Sequence, residues 1–157
     1  MEWPQPVERV ATVLRSAAVD ARIEEFPSGT PTAEAAAAAV GCELAQIVKS
    51  LVFVCDGRFV LVLVPGDRRA DAVKVAANAG ASGARIAAAG EVLDATGFEP
   101  GAVAPFPAPR VERVLLDRRL LGREILWIGA GSPRHMAGLT SADLVRVARA
   151  APADVTT

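Results

Sequence analysis

A single lysine stands inside an otherwise apolar run, Gln46-Ile47-Val48-Lys49-Ser50-Leu51-Val52-Phe53. An unpaired ammonium is costly to take out of water, so Lys49 either reaches solvent or meets an anion in a cleft. Two later stretches have the composition to complete such a cleft. Gly97 to Phe106 places Gly101, Ala102, Pro105 and Phe106 in a loop, and Gly129 to His135 adds Gly131 and the chain's one histidine. Glycines let a backbone approach a ligand closely. A strand-borne cation, backbone N–H groups and an imidazole are together the parts needed to hold an anion and polarise a carbonyl. Each part also has a plain structural reading: a solvated lysine at a strand opening, Gly/Pro-rich connectors, and a histidine satisfied by its neighbours.

Other chemistries find no support. There is no Cys-x-x-Cys, no Gly-x-Ser-x-Gly elbow and no phosphate loop. Gly129-x-Gly131 follows an expected strand but opens no helix, which argues against a dinucleotide fingerprint. Cys42 and Cys55 read as packing residues; two thiols do not make a metal site, and no metal or cofactor is implied. A net charge of −1 excludes a globally basic nucleic-acid coat, so any phosphate contact falls to local clusters at Arg68-Arg69, Arg110/Arg113 and Arg118-Arg119. With no tyrosine and 4% aromatic residues, a stacking platform for single strands is not expected. No apolar run approaches the roughly 20 residues of a membrane span, and Met1 to Pro6 shows neither a basic leader nor an apolar signal core. A cytoplasmic location follows, with neither membrane nor DNA as a partner.

The elements that must position these residues are legible in the patterning. The chain reads as one domain over residues 1–157, with its core at about 7–150 and a loose tail from Ala151 to Thr157. Pro6 opens a helix whose apolar positions Val7, Val10, Leu14 and Ala17 share a face. A short strand at Arg22 to Phe26 leads into a turn-rich loop with Thr30 near its tip. Thr32 then caps an alanine helix that Gly41 closes. Ser50 to Cys55 and Arg58 to Val64, joined by Asp56-Gly57, form a type I′ hairpin; apolar on nearly every position, it belongs in the middle of a sheet. Asp67 caps a helix to about Ala79, with Ala70, Val73, Ala76 and Ala77 turned inward. A short strand at Ala84 to Ala87 and a helix at Ala89 to Thr96 precede the Gly97 to Arg110 loop, which is too apolar to float in solvent. Strands at Val111 to Leu116 and Glu124 to Ile128 bring the sheet to five or six strands. Gly129 to His135 reads as irregular loop, and Thr140 with Asp143 caps the last helix.

At this point the chain resembles the YbaK family, the aminoacyl-tRNA deacylases related to the editing insertion of bacterial prolyl-tRNA synthetase. The likeness covers about Val7 to Ala150. Its residues are Thr32-Ala33-x-x-Ala36-Ala37 before Gly41, the Gln46 to Phe53 block, Gly97-x-x-x-Gly101-x-x-x-Pro105-Phe106, and Gly129 to Asp143 with Leu144. The resemblance implies an α/β fold of the α+β type, a mixed, barrel-like sheet wrapped by helices. It implies hydrolysis of the ester between a wrong amino acid, such as Cys or Ala, and the 3′ end of tRNA-Pro or another tRNA, with a synthetase or elongation factor as a possible delivery partner. Lys49 would hold the terminal adenosine or its phosphate. The Gly101 to Pro105 loop would present N–H groups to the aminoacyl end, and Ser50, Thr30, Ala102, Phe106, Gly131 and His135 would contribute to binding. Three departures bear on this: the aliphatic spacers Ala102, Val103 and Ala104 shape the pocket, Ser50 stands where a threonine is common, and His135 lies at a different spacing from the family's histidine. A second reading keeps the same pocket as a non-catalytic binding module for an aminoacyl-like ligand or a protein, and the modest surface charge favours it.

Overall fold

The computed structural model describes residues 3–157. In chain order it contains α1 (Gln5–Ser16), β1 (Arg22–Glu25), α2 (Ala33–Val40), a 3-10 turn at Leu44–Gln46, β2 (Val48–Cys55) and β3 (Arg58–Pro65). There follow α3 (Ala72–Asn78), β4 (Ala84–Ile86), α4 (Ala89–Thr96), β5 (Arg113–Asp117), a second 3-10 turn at Arg118–Gly122, β6 (Ile125–Ser132), β7 (His135–Thr140), α5 (Ser141–Ala148) and β8 (Ala150–Ala153).

Asp56 and Gly57 both take positive φ, 51° and 79°, which is the backbone a type I′ turn requires and which Gly57 adopts without a Cβ penalty. The turn sets the register of β2 against β3 from Cys55 opposite Arg58 to Val48 opposite Pro65. β3 is buried at every position from Val60 to Pro65, as its unbroken apolar run predicts for a strand covered on both faces. Accordingly the hairpin is interior to a five-stranded sheet of order β4-β2-β3-β5-β8, with β5 and β8 running parallel to β3.

A second, antiparallel sheet of order β1-β7-β6 lies against the first. Between them sits the main core, where Leu61, Leu63, Leu116, Leu126, Ile128 and Leu139 meet Val10 of α1 and Leu144 of α5. Phe98, Ala104 and Phe106 join this core, so the Gly97 to Arg110 loop packs inward as its composition requires. Val60, Val62, Val64 and Val75 form a smaller cluster beneath α3. The parallel bridge of Ile47 to Trp127 links the sheets at one corner, giving a barrel-like arrangement that does not close.

Four expectations need correction. Among the described residues the strands number eight in two sheets, not five or six in one. Gly129 to His135 is largely β structure: β6 runs to Ser132 and β7 starts at His135, with a bulge between Gly129 and Ser132. β7 is hidden in the sequence by Gly138, whose missing Cβ makes room for the Trp127 ring; a methyl group there would stand 2.9 Å from that ring. α3 begins one turn late, because Asp71 and not Asp67 is its cap, accepting from the Val73 and Lys74 N–H groups at 2.9 and 3.2 Å. That shift rotates the face, leaving Val73 79% exposed and Val75 fully buried. Finally, Ala151 to Thr157 is not loose: β8 pairs with β5, and Val155 and Thr156 are fully buried.

Candidate functional site

β2 creates an opening by being longer than its neighbour on one side. β4 pairs only with Phe53 to Cys55, the Ala87 N–H reaches the Val52 carbonyl, and the one backbone bridge between β6 and this stretch is at Ile47. Because N–H and C=O groups alternate sides along a strand, Ser50 aims its own pair at this uncovered edge. Side chains alternate too. Val48 and Val52 face the core between the sheets while Phe53 and Cys55 face α3, so Ser50 points inward and Lys49 toward the α3 side.

A cavity of about 410 Å³ lies over this edge. The 30–33 segment and Ala36 of α2 form one wall, Gly101 to Val103 another, and Gly129, Ser132, His135 and Met136 a third. Of the residues singled out in the sequence, Lys49, Ser50, Thr30, Gly101, Ala102 and His135 all line it. Pro105, Phe106 and Gly131 do not. Pro105 and Phe106 are buried, Phe106 in the main core. Gly131 (φ 99°) instead allows α1 to approach, since a Cβ there would stand 2.7 Å from the Pro6 carbonyl oxygen.

Lys49 is half-buried and donates to the Arg68 carbonyl at 2.5 Å. Burial lowers the pKa of its ammonium below the usual lysine value; Arg69 adds to the effect, and Glu34 and Asp67 oppose it. The Ser50 hydroxyl is buried and, among the described residues, has no hydrogen-bond partner. Such a group is expensive to leave unmatched, which makes it a ready contact for a bound polar ligand.

His135 is 4% exposed, and its Nδ1 lies 2.6 Å from the Ser132 hydroxyl. That hydroxyl already accepts the Arg134 N–H at 3.0 Å. Donation from Ser132 to Nδ1 satisfies both groups and leaves the imidazole proton on Nε2, which faces Glu25 at 3.8 Å. Burial lowers the His135 pKa, with Glu25 opposing and Arg134 assisting. The folded state therefore binds its proton less readily than the unfolded chain. The resulting stabilisation is complete above about pH 6.5 and is lost as pH falls through the lower, folded value. As this is the only histidine, its imidazole resonances can be followed without assignment. We expect a midpoint below 6.5 by NMR titration; a midpoint at or above 6.5 would show that Glu25, not burial, governs the ring.

Ala36, Val103, Gly129 and Ser132 also line the cavity and lie in stretches the sequence had singled out, whereas Pro31 and Met136 line it with no local signal. Gly129 is needed for close approach, since a Cβ there would come within 2.8 Å of the Val103 carbonyl oxygen. This close approach keeps the Gly101 to Val103 wall next to the open strand. The thiols stay outside the site: both are free, and burial raises both pKa values, as packing residues require.

Residues 27–147 match the family model described as the aminoacyl-tRNA editing domain. Over 142 residues the chain is 32% identical to proline--tRNA ligase of Xanthomonas oryzae pv. oryzae, covering 88% of this chain and 25% of that protein. It thus spans about a quarter of the length of that curated relative. Over 123 residues it is 33% identical to the uncharacterized protein YwhH of Bacillus subtilis, covering 78% of each. Among solved structures it is similar to a protein described as a candidate trans-editing enzyme for prolyl tRNA synthetase, with a TM-score of 0.92, 35% identity and 99% of both chains covered.

Proposed function

The chain belongs to the aminoacyl-tRNA editing domain family, and from that premise we propose that it is an aminoacyl-tRNA deacylase acting in trans. The observation that carries this reading is the meeting of Lys49, the uncovered β2 edge at Ser50 and the Gly101 to Val103 wall in one cavity. Lys49 holds the phosphate or ribose of the terminal adenosine at the mouth. The ester then lies along the open edge, where Ser50 and the backbone N–H groups of the glycine loop stabilise the oxyanion that forms as water adds to the carbonyl carbon. Breaking the bond to the ribose oxygen returns that oxygen as a hydroxyl and releases the amino acid. Positioning supplies most of the acceleration, with the neighbouring ribose hydroxyl helping to orient the water. His135, held by Ser132, lines the amino-acid end as a fixed donor.

Ala33, Ala36, Ala102 and Met136 make that end apolar, which fits alanine or cysteine carried wrongly on tRNA-Pro or another tRNA. The need for such a site is physical. One methylene changes pocket binding by only about 1–3 kcal/mol, so a synthetase for small substrates makes errors that a second site must clear. Charging takes place in the cytoplasm, and delivery by a synthetase or elongation factor fits the small net charge of −1; no helix among the described residues is long and apolar enough to cross a membrane.

The test is a deacylation panel: Ala-, Cys- and Ser-tRNA-Pro together with noncognate Ala, Ser and Thr esters. We expect turnover of at least one small-amino-acid ester at catalytic enzyme concentration. If every ester survives at enzyme equal to substrate, the chain is no deacylase. Tight binding of a mischarged tRNA in that case would favour the binding-module reading.

A further inference from the structure

On the α3 side of Lys49 a second, open groove of about 400 Å³ continues from the cavity. Lys49 is common to both. Its floor is apolar, made by Leu51, Phe53 and Ile86, and Ile86 is 56% exposed. Its rim is basic. Arg68 and Arg69 are exposed, and among the described residues no carboxylate lies within 4.0 Å of Arg68, Arg69 or Lys49; Asp67 and Glu34 act on Lys49 only from farther away.

The basic rim is also built rigidly. The Asp71 N–H donates to the Val155 carbonyl at 2.8 Å, the Thr157 N–H to the Arg69 carbonyl at 3.0 Å, and Ala70 bridges Thr156. The Arg68 carbonyl takes the Lys49 ammonium from the other side. The segment bearing Arg69 is therefore clamped between the C-terminal residues and β2, and its side chain is presented from a fixed backbone.

Resting on the deacylase reading, we propose that this groove receives the nucleotide preceding the terminal adenosine, its base against Ile86 and Leu51 and its phosphate against Arg69. A charged tRNA whose 3′ adenosine enters the cavity beside Lys49 must leave along a continuous path. The groove offers the combination single strands take, unpaired cations for the backbone beside an apolar surface for a base face. None of the residues that line it is a carboxylate that would repel a phosphate.

The variants are Arg69→Gln and Ile86→Asp, both at exposed side chains, with melting curves confirming that each folds. We expect each to raise KM for the mischarged tRNA about tenfold with kcat little changed. Arg69→Gln should also reduce the slope of log affinity against log salt by about 0.7, the loss of one single-strand phosphate contact. The same amino acid esterified to adenosine alone should be hydrolysed by both variants as by the parent. Equal losses on both substrates, or no loss on tRNA, would overturn the groove assignment. Should the parent hydrolyse neither substrate, the deacylase reading fails by itself, and binding of a fluorescent CCA trinucleotide still decides the groove. Tighter binding than adenosine 5′-phosphate, weakened in both variants, upholds it; equal binding of the two probes removes it.

Discussion

Lys49→Ala is expected to lower kcat/KM for a mischarged tRNA by about 100-fold, because without the contact that fixes the terminal adenosine the ester is no longer held in register with the open strand edge. The protein should remain folded. The lysine's one intramolecular hydrogen bond goes to the carbonyl of Arg68, an exposed residue, and water can replace it. Neither β2 nor β3 loses an apolar contact, since the cluster under α3 rests on Phe53 and the valines of β3. Lys49→Arg should recover little, because a wide planar guanidinium cannot take the place of the compact ammonium between Arg68 and the open strand. The dependence on pH carries a second signature. With its pKa lowered by burial, Lys49 loses its charge at a pH below the usual lysine value of 10.5. Affinity for tRNA should fall as pH rises through that point, and the alanine variant should lack this alkaline limb. Activity within threefold of the parent, with an unchanged alkaline limb, would mean that the residue is a sheet lysine that happens to border a cavity.

Lys49 also shows how far a sequence can be read. A cation in an apolar run is an anomaly that physical chemistry must resolve one way or the other, and the structure places it at the junction of cavity and groove. Local signals served well where a residue's own backbone decides the outcome: Asp56-Gly57 for the hairpin, Thr32 and Gly41 for α2, Gly97 for α4. They failed where a distant partner decides. Gly138 looks like a loop residue until the Trp127 ring is laid over it, and Gly131 looks like ligand-binding backbone until α1 is placed against it. Asp67 is as good a cap by composition as Asp71, but pairing of Ala70 with Thr156 holds the intervening residues extended. The uncovered edge at Ser50 has no local signature, because it depends on where β4 stops.

The C-terminal residues, expected to be loose from their place at the end of the chain, are tied down by one buried carboxylate, and the strongest stability effect is expected there. Asp117 is fully buried. Its Oδ1 accepts from the Arg119 N–H at 3.0 Å, and its Oδ2 from the Thr156 hydroxyl at 2.9 Å and the Val155 N–H at 3.3 Å. The Arg119 guanidinium stands 3.6 Å away and itself donates to the Thr156 hydroxyl at 2.8 Å. Asp117→Ala removes the acceptor and leaves two N–H groups and a hydroxyl facing a cavity, at an expected cost of about 3–5 kcal/mol. For a chain of this size that is a fall in Tm of roughly 10 °C. Asp117→Asn keeps one oxygen but turns an amide NH₂ toward donors, so it should fall between. The consequences should reach the site, because Val155 and Thr157 hold the segment from Arg69 to Asp71, and Arg68 holds Lys49. Hydrogen exchange at the Asp71 and Thr157 amides should therefore accelerate in Asp117→Ala before the β2–β3 amides respond. If melting and exchange both match the parent, the carboxylate is not what fastens the tail, and the order of the Arg68 to Asp71 segment must come from β8 alone.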